Sequence, residues 1–449
     1  MKTTTEQLYQ LFIQHPVIST DTRKIAPGSL FFALKGDKFD ANTFAAQAVE
    51  AGAAYAVIDN PEFATGERFF LVDDVLTALQ ELAKYHRKQL SLPVIGLTGT
   101  NGKTTTKELI NAVLSQKFKT LATQGNLNNH IGVPLTILTI DNSHEMAVIE
   151  MGANHQKEIA LLCSIAQPTH GLITNVGKAH LEGFGGVEGV KKGKGELYDY
   201  FSNLENSEVG KYAVFVNSDD VTLLEMQKAR VLKEVIYYGK NSNPDNLVSG
   251  MLLDNSPYLT LKWYDKASSS YNVKSQLTGS YNLDNILTAI CIGRYFGLSS
   301  DEIDQGIEGY QPKNNRSQIT KTATNTLICD FYNANPSSMF VAIENMDKVQ
   351  AERKVMILGD MFEMGAESAV EHTSVIHKAM AANVDERIFI GKDFSSQQTE
   401  VDNTNLINTT FYLTAEDAMI GLKQNPITNA TILIKGSRGM ALERLVELL

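Results

Sequence analysis

Short apolar runs alternate along the whole chain with longer stretches in which apolar residues recur every three or four positions. The runs at 30–34, 54–58, 94–97, 146–149, 171–175, 326–329, 354–358, 387–390 and 430–434 are continuous and bounded by Gly, Pro, Asn or Asp, the pattern of buried strands. Strand-like runs also fall at 212–216, 235–238 and 259–264, separated by Asn, Ser, Asp and Pro turns. Helical spacing marks 45–51, 75–90 and 286–296, and Leu109, Ile110, Val113 and Leu114 place a further helix just after 102. Alternating strands and helices predict an α/β protein with parallel sheets. The Asn-rich 123–129, the Gly- and Lys-rich 183–196 and the Pro-containing 311–317 read as loops, the last as a linker. Pro93 closes the 75–90 helix, so the expected division is 1–92, 93–312 and 313–449.

Length agrees with that division, since 449 residues correspond to about three domains at ~150 residues each. The chain is 43% hydrophobic and 20% charged, enough for several cores. A formal net charge of -11 argues against nucleic-acid binding, though a local loop can still hold a nucleotide. Cys163, Cys291 and Cys329 each sit in an apolar segment, which predicts buried free thiols and a reducing, cytoplasmic setting rather than a disulfide framework or zinc site. No apolar run approaches the ~18 residues of a membrane span, and no signal peptide is expected at the start.

The chemistry concentrates after the 94–97 strand. Gly99, Thr100, Asn101, Gly102, Lys103, Thr104 and Thr105 form a phosphate-binding loop between strand and helix. The glycines let the backbone approach phosphate oxygens, Lys103 can reach the β- and γ-phosphates, and the Thr104 hydroxyl can ligate Mg²⁺. The usual first glycine of such a loop is Leu97 here, so the loop is a shortened variant and not that of an ordinary GTPase or kinase. Glu150 and His180 lie just past the carboxyl ends of the next strands, the edge on which open parallel sheets hold ligands. A carboxylate and an imidazole there suit a divalent metal, and equally suit a solvated acid and a structural histidine. Thr22, Lys35 and Asp37 lie around an early strand and can serve a ligand or a solvated loop. Asn282 and Asn285 open a helix, where asparagine can cap it or read a base. Lys435, Gly436, Ser437, Arg438 and Gly439 follow the last strand and suit an anion. Residues 201–275 carry no recognisable site.

Ordered along the full length, these motifs resemble the Mur ligase family, ATP-dependent amide-forming enzymes of cell-wall precursor synthesis. The resemblance rests on the phosphate loop, on Gly125 to Asn129 with Ile131 to Pro134, and on Glu150 to Gly152. It continues with Asn175 to His180, Lys194 to Glu196, Tyr281 to Asn285, Asn315 to Ser317, Asp330 to Pro336 and Lys435 to Gly439. The run from Tyr332 to Pro336, with Leu358 to Met361, Glu363 and Gly365, is most similar to the branch that adds D-alanyl-D-alanine to UDP-MurNAc-tripeptide.

The resemblance implies three α/β domains. A central P-loop-type parallel-sheet ATPase domain would lie between an N-terminal UDP-binding domain and a C-terminal Rossmann-like domain that takes the dipeptide and closes on ATP. It implies ATP and two Mg²⁺ ions, held by Thr104 and Glu150 and by His180 with a CO₂-derived carbamate on Lys194. It further implies that Asn282 and Asn285 meet adenine, and that Arg316 and Asp330 reach ATP on closure. Thr22 with 35–39 would hold the UDP moiety, and Asn128, Asn129, Tyr332, Asn333, Asn335, Lys435, Ser437 and Arg438 would meet the other substrate parts. After Asp40 the chain has Ala41-Asn42-Thr43 where the family commonly shows Gly-His. A cytoplasmic monomer is expected. Another ligase of the superfamily, such as a folylpolyglutamate synthetase, would begin close to its phosphate loop. A non-catalytic nucleotide-binding regulator would not need Glu150, His180 and Lys194 together.

Overall fold

The computed structural model describes residues 2–36, 38–204, 212–241, 243–255, 257–313, 315–398 and 408–449. Three main sheets follow one another along the chain. The first is parallel, in the order Ile18–Ser19, Leu30–Phe32, Tyr55–Ile58, Phe69–Leu71. The helix Val75–Lys88 follows it, capped by the Asp74 carboxylate accepting from Thr77 N at 2.7 Å. Its buried Leu79, Leu82 and Ala83 belong to an apolar cluster that also holds Val133, Ile137 and Ile165 of the next unit.

The central sheet has nine strands. From one edge they run Ser270–Lys274, Thr260–Asp265, Asn246–Asp254, Val235–Gly239, Ala213–Asn217, His170–Ile173, Val94–Thr98, Met146–Glu150 and Thr120–Ala122. It is not parallel throughout. The three strands over 246–274 pair antiparallel. They follow one another with no helix between, and their burial alternates along each strand, so one face needs no helical cover. Val94–Thr98 is buried at every residue and lies between the strands ending at Glu150 and Ile173.

The third sheet runs Gln318–Lys321, Thr326–Cys329, Thr431–Lys435, Lys354–Gly359, Glu386–Ile390, Thr409–Tyr412, with only the first pair antiparallel. All three cysteines are buried and unpaired. No helix among the described residues is long and apolar enough to cross a membrane.

Two local expectations are corrected. The 183–196 stretch is not a solvated loop, because 187–196 forms the first turns of the helix Val187–Asn203. Its glycines serve close packing: a Cβ on Gly189 would come within 1.8 Å of the Phe184 carbonyl oxygen, and one on Gly193 within 2.4 Å of the Phe184 ring. The helix expected at 286–296 spans Asn282–Tyr295, so Asn282 and Asn285 lie in its first turn and do not precede it.

Candidate active site

The loop between Val94–Thr98 and the helix Lys103–Leu114 is held by its neighbours on both sides. Gly99 has φ +145°, and a Cβ there would meet Thr174 Oγ1 at 2.0 Å; Gly102 has φ +80° and would meet Asn285 Oδ1 at 2.7 Å. Both positions therefore require glycine. Asn101 N donates to Asn175 Oδ1 at 3.0 Å, while its carbonyl accepts from Thr174 Oγ1 at 2.7 Å and Asn175 Nδ2 at 3.0 Å. Thr100 N donates to the Asn175 carbonyl at 3.0 Å. Lys103 Nζ folds back onto the carbonyls of Gly99 and Thr100 at 2.8 and 2.9 Å. Burial pushes its ammonium down to about 8; Glu150 opposes that push and Arg316 reinforces it.

Thr104 and Glu150 face each other across the loop. The Thr104 hydroxyl donates to Glu150 Oε1 at 3.2 Å, and Asn128 Nδ2 donates to the same oxygen at 2.8 Å. Glu150 Oε2 is buried with no hydrogen-bond partner among the described residues. An orphaned carboxylate oxygen beside a hydroxyl, next to a phosphate loop, is a donor set that Mg²⁺ accepts. Asn129 is used locally, its Oδ1 accepting from Ile131 N and Gly132 N at 3.1 and 2.9 Å.

Lys194 is 2% exposed, with Nζ 3.2 Å from the Ala153 carbonyl and 5.1 Å from the Phe184 ring centroid. Burial, and then the charge of Lys103, hold its amine well below the ordinary lysine range. His180 has a left-handed backbone, φ 51°, and its Nδ1 pairs with the carboxylate of Glu363, itself at φ 61°. Burial lowers the His180 imidazole, and Glu363 pulls the other way.

The third unit contributes the opposite wall. Asp330 accepts from Lys435 Nζ at 2.7 Å and from Ser317 N at 3.2 Å, and the Ser317 hydroxyl meets Tyr281 OH at 2.5 Å. Arg316 stacks 3.9 Å over the Tyr332 ring, and its Nε is buried without a partner among the described residues. Arg438 approaches the same ring at 5.1 Å and donates to Tyr332 OH at 3.2 Å. Asn333 gives its carbonyl to Lys435 at 3.2 Å, and Ser437 Oγ accepts from Phe362 N at 2.9 Å. Asn335 Nδ2 donates to Asn101 Oδ1 at 2.8 Å. One cavity of about 1010 Å³ is lined by Asn101 to Lys103, Asn128, Glu150, His180, Arg316, Asp330, Tyr332 and Lys435.

At its far side Asn282 and Asn285 are linked at 2.8 Å, and Asn285 accepts from Thr106 Oγ1 at 3.0 Å. Asn217, Asp219, Asp220 and Lys240 also line the cavity. This corrects the expectation that 201–275 carries no site. Those polar residues lie at or just past the ends of Ala213–Asn217 and Val235–Gly239, two and three strands from Val94–Thr98 in the sheet, a placement that only strand order reveals.

The first unit's candidates stand apart from this cavity. Thr22 opens a 3₁₀ turn whose Arg23 N is capped by Asp21 at 3.0 Å. Lys35 pairs with Asp59 at 2.7 Å, Lys38 is exposed, and Phe39 stacks on Phe44 at 5.4 Å and 15°. Asp37 lies outside the described residues. The departure at Asn42 has a structural account: its buried amide donates to Asp40 at 2.7 Å and Asp59 at 2.8 Å and accepts from Asp59 N at 3.1 Å.

Three family models match in chain order: Mur ligase family, catalytic domain, over 16–87; Mur ligase middle domain over 97–293; and Mur ligase, glutamate ligase domain, over 315–438. The chain is 37% identical to the UDP-N-acetylmuramoyl-tripeptide–D-alanyl-D-alanine ligase of Escherichia coli, covering 96% of this chain and 93% of the relative. It is 34% identical to the Bacillus subtilis ligase of the same name, over 98% and 94%. A crystal structure of MurF from Acinetobacter baumannii matches at TM-score 0.84 and 31% identity, over 96% of this chain and 92% of that one. MurF ligase from Thermotoga maritima in complex with ADP shares the fold at TM-score 0.81 and 24% identity, over 96% of each chain. With this coverage and identity, the chain belongs to the Mur ligase family.

Proposed function

We propose that this chain is an ATP-dependent amide ligase that joins D-alanyl-D-alanine to UDP-MurNAc-tripeptide, releasing ADP and phosphate. The observation that carries the reading is the shared cavity, in which a phosphate loop and Glu150, itself bonded to Thr104, face the third-domain cations Arg316 and Lys435. Full-length similarity to ligases named for this reaction, and to a MurF structure holding ADP, supports it. The assigned division is 1–92 for the UDP substrate, 93–312 for ATP, and 313–449 for the dipeptide and closure, in a cytoplasmic monomer.

ATP would lie along the loop, with Asn282 and Asn285 at the adenine and Lys103 released from the Gly99 and Thr100 carbonyls to the phosphates. That exchange suits Lys103, because the incoming anion restores the charge that burial disfavours. The tripeptide carboxylate would attack the γ-phosphorus to give an acyl phosphate and ADP; the dipeptide amine would then attack the acyl carbon, expelling phosphate. The chain's part is positioning and charge stabilisation. Lys103 and Arg316 neutralise the transferring group, Arg438 and Lys435 offer cations to the dipeptide carboxylate, and the apposed domains exclude water from the acyl phosphate. Thr104 with Glu150, and His180 with Lys194, would hold two Mg²⁺ ions, whose chemistry is to draw charge from crowded phosphate oxygens. Lys194 fits carbamylation: burial disfavours its ammonium, and the amine can add CO₂ with loss of one proton to become an anion.

The test is phosphate release from ATP with Mg²⁺ and UDP-MurNAc-tripeptide, with and without D-alanyl-D-alanine. Release that requires both, with a UDP-pentapeptide product by mass, is expected. Release driven by a single amino acid instead would move the enzyme to another step of the family.

A further inference from the structure

The contact between Asn335 and Asn101 joins the third domain directly to the phosphate loop. Asn335 is the cap of the helix Pro336–Lys348, in extended backbone at φ -149° and ψ 165°. Its Oδ1 accepts from Ser338 N at 2.9 Å, and its own N donates to Ser338 Oγ at 3.1 Å, a reciprocal cap. Its Nδ2 faces the other way and donates to Asn101 Oδ1 at 2.8 Å. The backbone of Asn101 is already bound on both sides by Thr174 and Asn175. Its side chain is therefore the part of the loop tip left for the third domain to touch. The same helical turn makes a second crossing, Lys178 N donating to Ser337 Oγ at 2.9 Å. A Cβ on Gly177 would come within 2.7 Å of that Ser337 oxygen, so the approach is close.

We infer that Asn335 is a positioning residue that couples domain closure to the phosphate loop, the two ends of one amide serving the helix cap and Asn101 at once. Only an amide does both. Aspartate or serine can accept from Ser338 N and keep the cap. Aspartate cannot donate to Asn101 and adds a negative charge beside the phosphates; serine is uncharged and too short to cross. The inference rests on the ligase reading for its kinetic test, but not for its conformational one.

Asn335→Ser and Asn335→Asp should melt within about 3 °C of wild type, because the cap survives. Turnover should fall on the order of 10- to 100-fold in Asn335→Ser, and at least as far in Asn335→Asp, with the KM for UDP-MurNAc-tripeptide within about threefold of wild type. In an Asn101→Ser background, adding Asn335→Ser should cost less than about twofold more, since the shared contact is already gone. Small-angle scattering with a non-hydrolysable ATP analogue should leave Asn335→Ser more extended than wild type. Turnover within threefold of wild type in Asn335→Ser, or losses that multiply in the double variant, would overturn the inference. So would scattering curves that coincide. If the wild-type enzyme itself shows no dipeptide-dependent phosphate release, the ligase reading fails and the scattering comparison alone decides the role of Asn335.

Discussion

Two lysines carry most of the expected chemistry, and their surroundings separate them. Lys103 hydrogen-bonds to the Gly99 and Thr100 carbonyls at 2.8 and 2.9 Å, and burial already disfavours its charge. Lys103→Ala should therefore leave the melting temperature within a few degrees while turnover drops at least ~10³-fold, as expected where a preorganised cation is removed from phosphoryl transfer. A variant with near wild-type turnover would remove the loop from the mechanism. Lys194 packs on the Phe184 ring and donates to the Ala153 carbonyl. If it acts as a carbamate, Lys194→Ala leaves a space that a small carboxylate can enter. Turnover of Lys194→Ala should fall at least ~10²-fold and recover in part with added formate or acetate, whereas Lys103→Ala should not respond. Equal indifference of both variants to carboxylates would leave Lys194 with a packing role only.

At the level of the elements, legibility followed burial. Strands such as Lys354–Gly359 and Val94–Thr98 announce themselves because parallel strands covered on both faces read as unbroken apolar runs. The start of Val187–Asn203 did not, because Gly189 and Gly193 carry the composition of a loop while serving the close approach of Phe184. Glu150 and Asn175 were readable at strand ends and Lys103 in the phosphate loop; Asn217 and Lys240 were not, because their relevance depends on which strands are neighbours. The antiparallel extension adds a testable pH effect. Trp263, on Thr260–Asp265, donates Nε1 to Asp304 Oδ1 on the helix Ser300–Gly309 at 2.8 Å. Burial lifts the Asp304 carboxyl from 3.8 to about 6, against the pull of Trp263. The folded state thus binds more protons than the unfolded one between those values, and stability must fall as pH rises through that window. Asp304→Asn keeps an acceptor for Trp263 and does not titrate. Relative to wild type it should gain up to about 2 kcal/mol between pH 4 and pH 7, discounted for the partial exposure of the group. Parallel stability curves for the two proteins across that range would show that water reaches the carboxylate.

Across the whole molecule, one apolar cluster reaches all three domains, and the two seams differ in the polar contacts added to it. The first domain is fixed to the second by an apolar cluster and by Arg87, 6% exposed, which donates to the carbonyls of Ala166, Gln167 and Leu90 at 3.0, 3.2 and 2.8 Å. His86 adds a contact to the Ile140 carbonyl at 2.7 Å. Removing Arg87 strands buried carbonyls in any arrangement of the third domain, so Arg87→Met should cost folding stability, roughly 2–4 kcal/mol in chemical denaturation. The third domain also joins that apolar cluster, through Met339, Met361 and Met364 among others, and adds polar pairs around the cavity: Asn335 with Asn101, Glu363 with His180, Ser317 with Tyr281, and Glu371 with Lys178 at 2.5 Å. Glu371 is buried there and Lys178 half exposed. If parting the domains returns that acid to water, replacing Lys178 with Met leaves it unpaired only while the seam is shut. The cost should therefore fall on closure and not on folding. Lys178→Met is expected to shift the closed fraction by about 5- to 30-fold, following ~1–2 kcal/mol for an uncompensated partner. Small-angle scattering with ATP analogue should show a more extended average shape, with the unfolding midpoint little changed. If Lys178→Met lowered the midpoint as Arg87→Met does and left the scattering alone, the second seam would be as permanent as the first, and closure would have to act elsewhere.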